Sequence, residues 1–564
     1  MAQQPQLAPG QSGLPVDNPT KSYWHKEPSE KLLGHRTTEE LPRLADVVIV
    51  GSGITGAFAA HFLKEKKPGL NVFILEAREA CWGATGRNGG HCQPAMYAAA
   101  PHIASFELRT YSYLKTLVES FSIPCDWHTT TGVHAFYSPE LFAIARDIIT
   151  KLTDKYPDLA ANVAVVTKPG AAGSGSDSSG SPAWLLEEER REYSLEGLRV
   201  GGAEGAVVMW HAASLWPYKL VAFVLERLLA ANDTSEGSFN LQTNTPVTSL
   251  TQASSTSTSS GLGDDDAFRQ DTDTGGPWTL HTPRGAITAP RVLLATNGYT
   301  SHLLPALADL LIPTKGQVSA LLPPSPTPTP TSSSSPSNPP SSTPAPPLDI
   351  GHTYYLIGSP SNPWSRDDYL IQRPPPTAEL IFGGGREHAP GRGVGVWDDG
   401  EGTVDEAVSW YLRGELGKAV DLSPPSTPKK EKETETKTPN QDLQPTHEWT
   451  GIMGYTRDGH PLVGPVPTSL GGGGKDGGRD GGLYLCAGYT GHGMPNAALC
   501  AKAVVDMMCA GDGDEDPDPK IDLPPEYELT EARVVAARRR PELAVVDAKG
   551  SLYSDFGDVE MTGI

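Results

Sequence analysis

The first strong pattern along the chain is an unbroken apolar run, Val47-Val-Ile-Val50, set off by Asp46. Such a run is what a strand buried on both faces requires. Ala57 to Lys66 then carries apolar residues on one face and predicts a helix; Asn71-Val-Phe-Ile-Leu75 predicts a second strand ending in Glu76. Residues 47–63 hold no Asp, Glu, Lys or Arg, but 17 residues broken by glycines sit at the short limit for a membrane span. A strand, a glycine turn and a helix explain them better. Elsewhere the patterning lapses. Residues 170–182, 252–276, 321–349, 421–446 and 468–482 are low in complexity: the third is a Pro/Ser/Thr run, the fourth Pro/Thr with mixed charge, the fifth rich in Gly. They cannot bury enough apolar surface to offset chain entropy. They read as surface insertions in an ordered framework, because lengthening a loop costs little closure entropy. Residues 1–44 read as disordered and 511–564 as an acidic, mostly irregular tail. The remainder suffices for two packed domains.

Charge and composition narrow the function classes. The net charge of −22 repels phosphate backbones, so no nucleic-acid partner is expected. No apolar leader stands near the start, the chain ends Met-Thr-Gly-Ile, and no membrane partner is expected. Cys81, Cys92, Cys125, Cys486, Cys500 and Cys509 form no CxxC pair and read as reduced thiols of a cytoplasmic protein. No metal site is expected: His447-Glu448 lacks the second His of HExxH, and no Cys/His cluster has zinc spacing. A GxSxG nucleophile elbow is also missing. The proline run could engage an SH3-type domain, the sole protein partner the sequence suggests.

Gly51-Ser-Gly53-Ile54-Thr55-Gly56 lies between the first strand and the helix. In a dinucleotide site Gly51 makes the tight turn, Gly53 admits a pyrophosphate, and Gly56 lets helix and strand pack closely. Ile54 and Thr55, between the glycines, belong to the same candidate site, and the N-terminus of the helix that follows presents free N–H groups and a positive dipole end. Glu76, twenty residues after Gly56, can accept hydrogen bonds from both ribose hydroxyls, and Ala77 and Arg78 extend the same candidate site. The next segment, Gly83-Ala84-Thr85-Gly86-Arg87-Asn88-Gly89-Gly90, is too glycine-rich for a helix or strand and suits a loop wrapped around a ligand. Thr85, Arg87 and Asn88 would serve there as hydrogen-bond donors.

That loop resembles the flavin loop of the D-amino-acid-oxidase-like (DAO) FAD oxidoreductases, and most closely the GASGRNGG of the gamma-glutamylputrescine oxidases. The resemblance continues through Trp216-Pro-Tyr-Lys-Leu220, Asn244-Thr-Pro-Val247, residues 286–300, Pro313-Thr-Lys-Gly-Gln317, Asp368–Arg373, Leu380–Arg386, Trp449–Gly464 and Leu483–Met494. It implies an α/β protein in which a Rossmann-type FAD-binding domain (about 45–105, 185–300 and 447–510) is interleaved with an antiparallel-sheet substrate domain (about 106–184 and 301–420), a glutathione-reductase-like arrangement of DAO type. It also implies FAD, with Val247 facing the adenine, Ala295, Thr296 and Asn297 closing over the dinucleotide, and Gly491, His492, Gly493 and Met494 beside the flavin. Pro495 would open the final helix as its first residue. A histidine bonds covalently to FAD in the dimethylglycine-dehydrogenase branch; that position is Arg87 here, so noncovalent FAD is expected. No second GxGxxG unit is evident, so the electrons should come from the substrate.

The implied reaction is oxidation of the CH–NH group of an amine or amino acid to an imine, with hydride passing to flavin N5 and reoxidation by O2. Three residues are candidates on the substrate side. His492 either moves protons or sets the backbone beside the flavin. Arg386 either clamps a carboxylate or is a paired structural arginine. Tyr369 either lines the cavity or sits in the core. His91 and Cys92 follow the flavin loop and read as packing. The lysines that activate oxygen and bind carboxylate in monomeric sarcosine oxidases fall on Ile381 and Pro495, which argues against a plain N-methyl amino acid oxidase. Alternatives are an NAD(P)H-dependent flavin hydroxylase and a non-catalytic flavin-binding scaffold.

Overall fold

The run Val47–Val50 sits inside a six-stranded sheet with the order Leu462–Pro465, Leu483–Ala487, Arg291–Leu294, Val47–Val50, Val72–Leu75, Phe239–Gln242. All neighbours are parallel except the edge strand Leu462–Pro465. Successive side chains of a strand point to opposite faces. Val47, Ile49, Val72 and Ile74 therefore enter one core with the helices Ile54–Lys66, Pro217–Ala230 and Ala497–Cys509. Val48, Val50, Phe73 and Leu75 enter another, beneath a three-stranded sheet of Ser249–Gln252, Trp278–Thr282 and Gly285–Ala289. This computed structural model describes residues 7–168, 193–233, 237–253, 276–324, 347–360, 362, 365–397, 402–423, 442–473, 481–510 and 521–540.

A second, nine-stranded sheet runs Pro445–Thr456, Leu311–Leu321, Leu380–Gly383, Asp367–Gln372, Thr353–Ile357, His128–Phe136, Gly205–Ser214, His91–Cys92, with Val163–Thr167 also on Gly205–Ser214. It is not wholly antiparallel as expected: Thr353–Ile357 pairs parallel with His128–Phe136. Three of its strands, His91–Cys92, Gly205–Ser214 and Pro445–Thr456, lie wholly or largely within segments expected in the FAD-binding domain. The helix Pro101–Phe121, assigned mostly to the substrate side, instead joins the core under Ala497–Cys509. Sheet membership depends on long-range partners, which local patterning does not report. The final helix begins at Ala497 behind its N-cap Asn496, so Pro495 precedes the cap and does not occupy the first turn.

The expected disorder of residues 1–44 is corrected from residue 7 onward. Tyr23 and Trp24 are fully buried. Trp24 Nε1 donates to the Asn88 carbonyl (2.6 Å), and Trp216 Nε1 donates to the Trp24 carbonyl (2.7 Å). The segment is short of apolar residues, but its few aromatics each find a tertiary pocket. Part of the expected irregular tail is also docked: Leu523, Tyr527, Leu529 and Val534 are buried, and Thr530 caps the helix Glu531–Arg539. Insertion 170–182 and most of 252–276, 321–349 and 421–446, with the proline run, lie outside the described residues, as do 474–480 of the glycine-rich segment, 511–520 and 541–564.

Candidate active site

A cavity of about 330 Å³ lies between the two sheets, within the size range of small-molecule sites. On the six-stranded side the chain turns sharply at Gly51. Its φ of +105° is strained for any side chain, and a Cβ there would stand 2.7 Å from the Ala295 carbonyl oxygen. A Cβ on Gly56 would meet the Gly51 carbonyl oxygen at 1.9 Å, so only glycine lets this helix lie so close to the strand. The helical ladder starts at Ala57 N, which donates to Gly53 O. The first-turn amides of Thr55 and Gly56 thus have no carbonyl one turn back; Ile54 N is held by Thr85 Oγ1 at 3.1 Å.

Glu76 is buried at the tip of the second strand. Ser52 donates to its Oε2 from both N (3.0 Å) and Oγ (2.6 Å), and Arg78 N donates to Oε1 (3.0 Å). Ser52 was missed by sequence reasoning, though its place between two required glycines was a usable signal. In the loop Gly83–Gly90 the side chains of Thr85, Arg87 and Asn88 each make a bond within the protein. Thr85 accepts from the helix amide, and Asn88 Oδ1 accepts from Gly90 N (2.8 Å). Arg87, buried, donates to the carbonyls of Trp82, Thr20 and Thr450, each at 2.9 Å. It therefore ties the loop to the N-terminal segment and to the long strand Pro445–Thr456.

Gly51, Gly53, Ile54, Thr55, Glu76, Ala77, Arg78, Gly83, Ala84, Thr85, Arg87, Asn88, Gly89, Val247, Ala295, Thr296, Asn297, Gly491, His492, Gly493 and Met494 all line the cavity. Gly56 and Gly90 do not; both act in packing, since a Cβ on Gly90 would strike Trp24 at 2.8 Å. Leu14 and Pro15, in the segment expected to be disordered, form part of the wall. The glycine-only cradle, the open helix N-terminus and the buried acid beside them fit FAD: the pyrophosphate at Gly51–Thr55 and the adenosine ribose at Glu76.

The nine-stranded side brings Tyr369 and Arg386 to the same cavity, with Gln93, His134, Tyr355, Asp367 and Tyr455, which no local signal marked; His492 reaches it from the turn after the strand Leu483–Ala487 of the six-stranded sheet. Arg386 lies just past its strand, which ends at Gly383. Its Nη1 donates to Tyr455 Oη (3.1 Å) and Asp367 Oδ2 (3.4 Å), while its buried Nε has no protein partner among the described residues. Burial opposes its charge, but Tyr455 and Asp367 keep its pKa above the ordinary value. The Tyr369 ring packs against Gly89 and Gly383, where a Cβ would come within 2.4 and 2.3 Å of it, and its phenol is pushed up by burial. His91 and His134 are lowered to about 3, chiefly by burial, and so are neutral. For His492 burial also opposes the charge, but Glu107 outweighs it and raises the pKa. Among the described residues no His/Cys/Asp/Glu group could hold a metal, and no helix is long and apolar enough to cross a membrane.

A Haemophilus influenzae protein named "Probable oxidoreductase OrdL" is 32% identical over 95 residues, a match spanning only 15% of this chain and 22% of that relative. Among solved structures, glycine oxidase from Geobacillus kaustophilus is similar at 18% identity and a TM-score of 0.56, covering 87% of this chain and 99% of its own. An L-amino acid deaminase from Proteus vulgaris, lacking its specific insertion sequence, matches at 15% identity and a TM-score of 0.54, covering 88% of this chain and 96% of its own. These two likenesses establish the fold. The DAO family model, described as FAD dependent oxidoreductase, matches residues 46–507, the stretch that builds both walls of the cavity. The chain belongs to the FAD dependent oxidoreductase family.

Proposed function

We propose that the protein oxidises the CH–NH group of an amino acid or a carboxylate-bearing amine to an imine. The observation that carries this reading is Arg386, a largely buried cation that lines the cavity and is held there by Tyr455 and Asp367. A guanidinium so placed clamps a carboxylate by charge-assisted hydrogen bonds. Glycine oxidase and L-amino acid deaminase, which share the fold, are named for amino acid substrates and support the same class.

When bound, FAD supplies the hydride acceptor. The chain supplies the rest. Gly51, Gly53, Thr55 and Glu76 would hold the dinucleotide. Arg386 would hold the substrate carboxylate, and Tyr369, between Gly89 and the sheet, would fix the substrate's plane. His492 would take up the proton of the substrate ammonium, since only a neutral amine has a lone pair to form the C=N bond. Orientation of the substrate is the main contribution. Arg87, at the position where the resemblance places a covalent histidine, is committed to three carbonyls, in keeping with noncovalent FAD. The six cysteines are all buried and none is joined in a disulfide, in keeping with a reducing, cytoplasmic compartment. The GATGRNGG loop favours the gamma-glutamylputrescine oxidase branch and makes gamma-glutamylated diamines prime candidates.

The test is anaerobic bleaching of the flavin's visible absorbance by a panel of amino acids, N-methyl amino acids, polyamines and gamma-glutamylated diamines. Bleaching by a carboxylate-bearing member is expected, and admitting air then reports reoxidation by O2. A flavin that dithionite reduces but no amine bleaches would refute the reading; bleaching by NADPH would favour a hydroxylase.

A further inference from the structure

The turn Gly491-His492-Gly493 is tied to a buried side-chain network that the reaction as described does not use. Glu107, on the helix Pro101–Phe121, is only 2% exposed. Its Oε2 meets His492 Nε2 at 3.0 Å and accepts from Ala95 N at 2.7 Å; its Oε1 accepts from Asn496 Nδ2 at 2.9 Å. Three converging donors satisfy a carboxylate, and a buried carboxylate needs such partners. The Asn496 amide is itself oriented, because Tyr527 Oη donates to its Oδ1 at 2.9 Å. Tyr527 belongs to the docked C-terminal segment, which grips the same helix through Phe106 (ring centroids 5.7 Å apart) and the His102–Glu526 pair (2.8 Å).

The chemistry of these bonds fixes the imidazole. A carboxylate only accepts, so the proton of a neutral His492 resides on Nε2. Nδ1 is then the basic nitrogen, on a ring 41% exposed and lining the cavity. The other titratable groups around it are His91 and His134, from two strands of the large sheet, both neutral; Glu107 is further flanked by the thiols of Cys92 and Cys500, both raised by burial and so uncharged. Among the described residues Glu107 is thus the anion that acts on His492.

We propose that Glu107 is a positioning residue: it holds His492 with Nδ1 toward the cavity as acceptor of the substrate ammonium proton, and Asn496 and Tyr527 hold Glu107. The inference rests on the amine reading above. The step is a simple transfer: one N–H bond of the ammonium breaks, Nδ1–H forms, and the positive charge moves to an imidazolium facing Glu107. Histidines arranged in this way serve as general bases near neutral pH.

The holoenzyme with ¹⁵N-labelled histidine, free of substrate, provides the first test, with the His492 resonances assigned from a His492→Asn variant. The wild type is expected to show the Nε2–H tautomer above its titration midpoint. Glu107→Gln is expected to lower that midpoint by roughly one pH unit or more, the size of effect of one adjacent charge. Tyr527→Phe, which leaves the carboxylate in place, is expected to move it the same way by less. An Nδ1–H tautomer in the wild type, or a midpoint unmoved in both variants, would overturn the positioning role whether or not a substrate is found. In the second test, the first amine that bleaches the flavin is mixed at a series of pH values. The acidic limb of the reduction rate should move down with the midpoint in Glu107→Gln; a limb that stays put would overturn the proton-accepting role. Failure of every amine to bleach the flavin is a distinct result, striking at the proposed reaction and with it at this proton transfer.

Discussion

Trp24→Ala tests whether the N-terminal segment is a working part of the cofactor site. The indole is fully buried against Trp216 and beside Gly90, with the Arg373 guanidinium 5.1 Å from its ring. Truncating such a side chain costs about 3–5 kcal/mol. The Asn88 carbonyl also loses its 2.6 Å donor, which adds roughly 1–3 kcal/mol if water cannot replace it. The two effects overlap, so about 4 kcal/mol is a fair expectation, or three powers of ten in the equilibrium between docked and undocked segment. The body of the protein keeps its own cores, so the cost should fall on this segment first. Hydrogen exchange of Leu32 and Leu33, whose amides bond within the segment to Ser29 O, should accelerate by that factor up to the local limit. Release of FAD, followed by the rise in flavin fluorescence, should quicken at least tenfold, because Leu14 and Pro15 wall the cavity. Trp24→Phe keeps most of the packing and should show about 1 kcal/mol of the effect. Unchanged exchange and FAD release in Trp24→Ala would refute the view that the segment closes the site.

Further expectations follow from single positions. Gly56→Ala puts a methyl 1.9 Å from the Gly51 carbonyl oxygen; overpacking of at least about 1.4 kcal/mol should weaken FAD binding tenfold or more in a fluorescence titration. Arg386→Met should lower the apparent kcat/KM for a carboxylate-bearing substrate by roughly 10–200-fold and leave FAD affinity unchanged, the loss expected of a charged hydrogen bond; an equal loss with a substrate lacking the carboxylate would contradict the clamp. Burial raises the Asp368 carboxyl to about 7 even though Arg366 and Tyr411 pull it down. The native state then keeps a proton that the unfolded chain releases near about pH 4, so this group's contribution to stability falls as pH rises from about 4 to 7 and is flat above. Asp368→Asn should remove that slope from the pH dependence of Tm, and identical slopes in both proteins would show that Asp368 is ionised when folded.

The dinucleotide cradle was legible in the sequence because its demands are local. A backbone turn at φ +105° and a helix position whose Cβ would stand 1.9 Å from a carbonyl oxygen each admit only glycine, so Gly51 and Gly56 announce themselves in order along the chain. The same holds for the strand of Val47–Val50, whose two faces both meet a core and which therefore cannot alternate. The roles inside the site were less legible. Arg87 was expected to offer hydrogen bonds to a ligand, yet its donors go to Thr20 and Thr450, distant in sequence.

What only the tertiary structure decided is which distant residues meet. Glu107 is one acid on an amphipathic helix until the fold places it 3.0 Å from His492, 385 positions later. Gly205–Ser214 falls in a stretch expected in the FAD-binding domain, yet it pairs with His128–Phe136 in the nine-stranded sheet. The N-terminal segment lacks the periodicity of a helix or strand, so its order is visible only in the pockets that receive Trp24 and Tyr23. Steric limits on a backbone act over a few residues and leave a mark in the sequence. Burial and pairing act between surfaces brought together by folding, and a single residue carries no record of its partner.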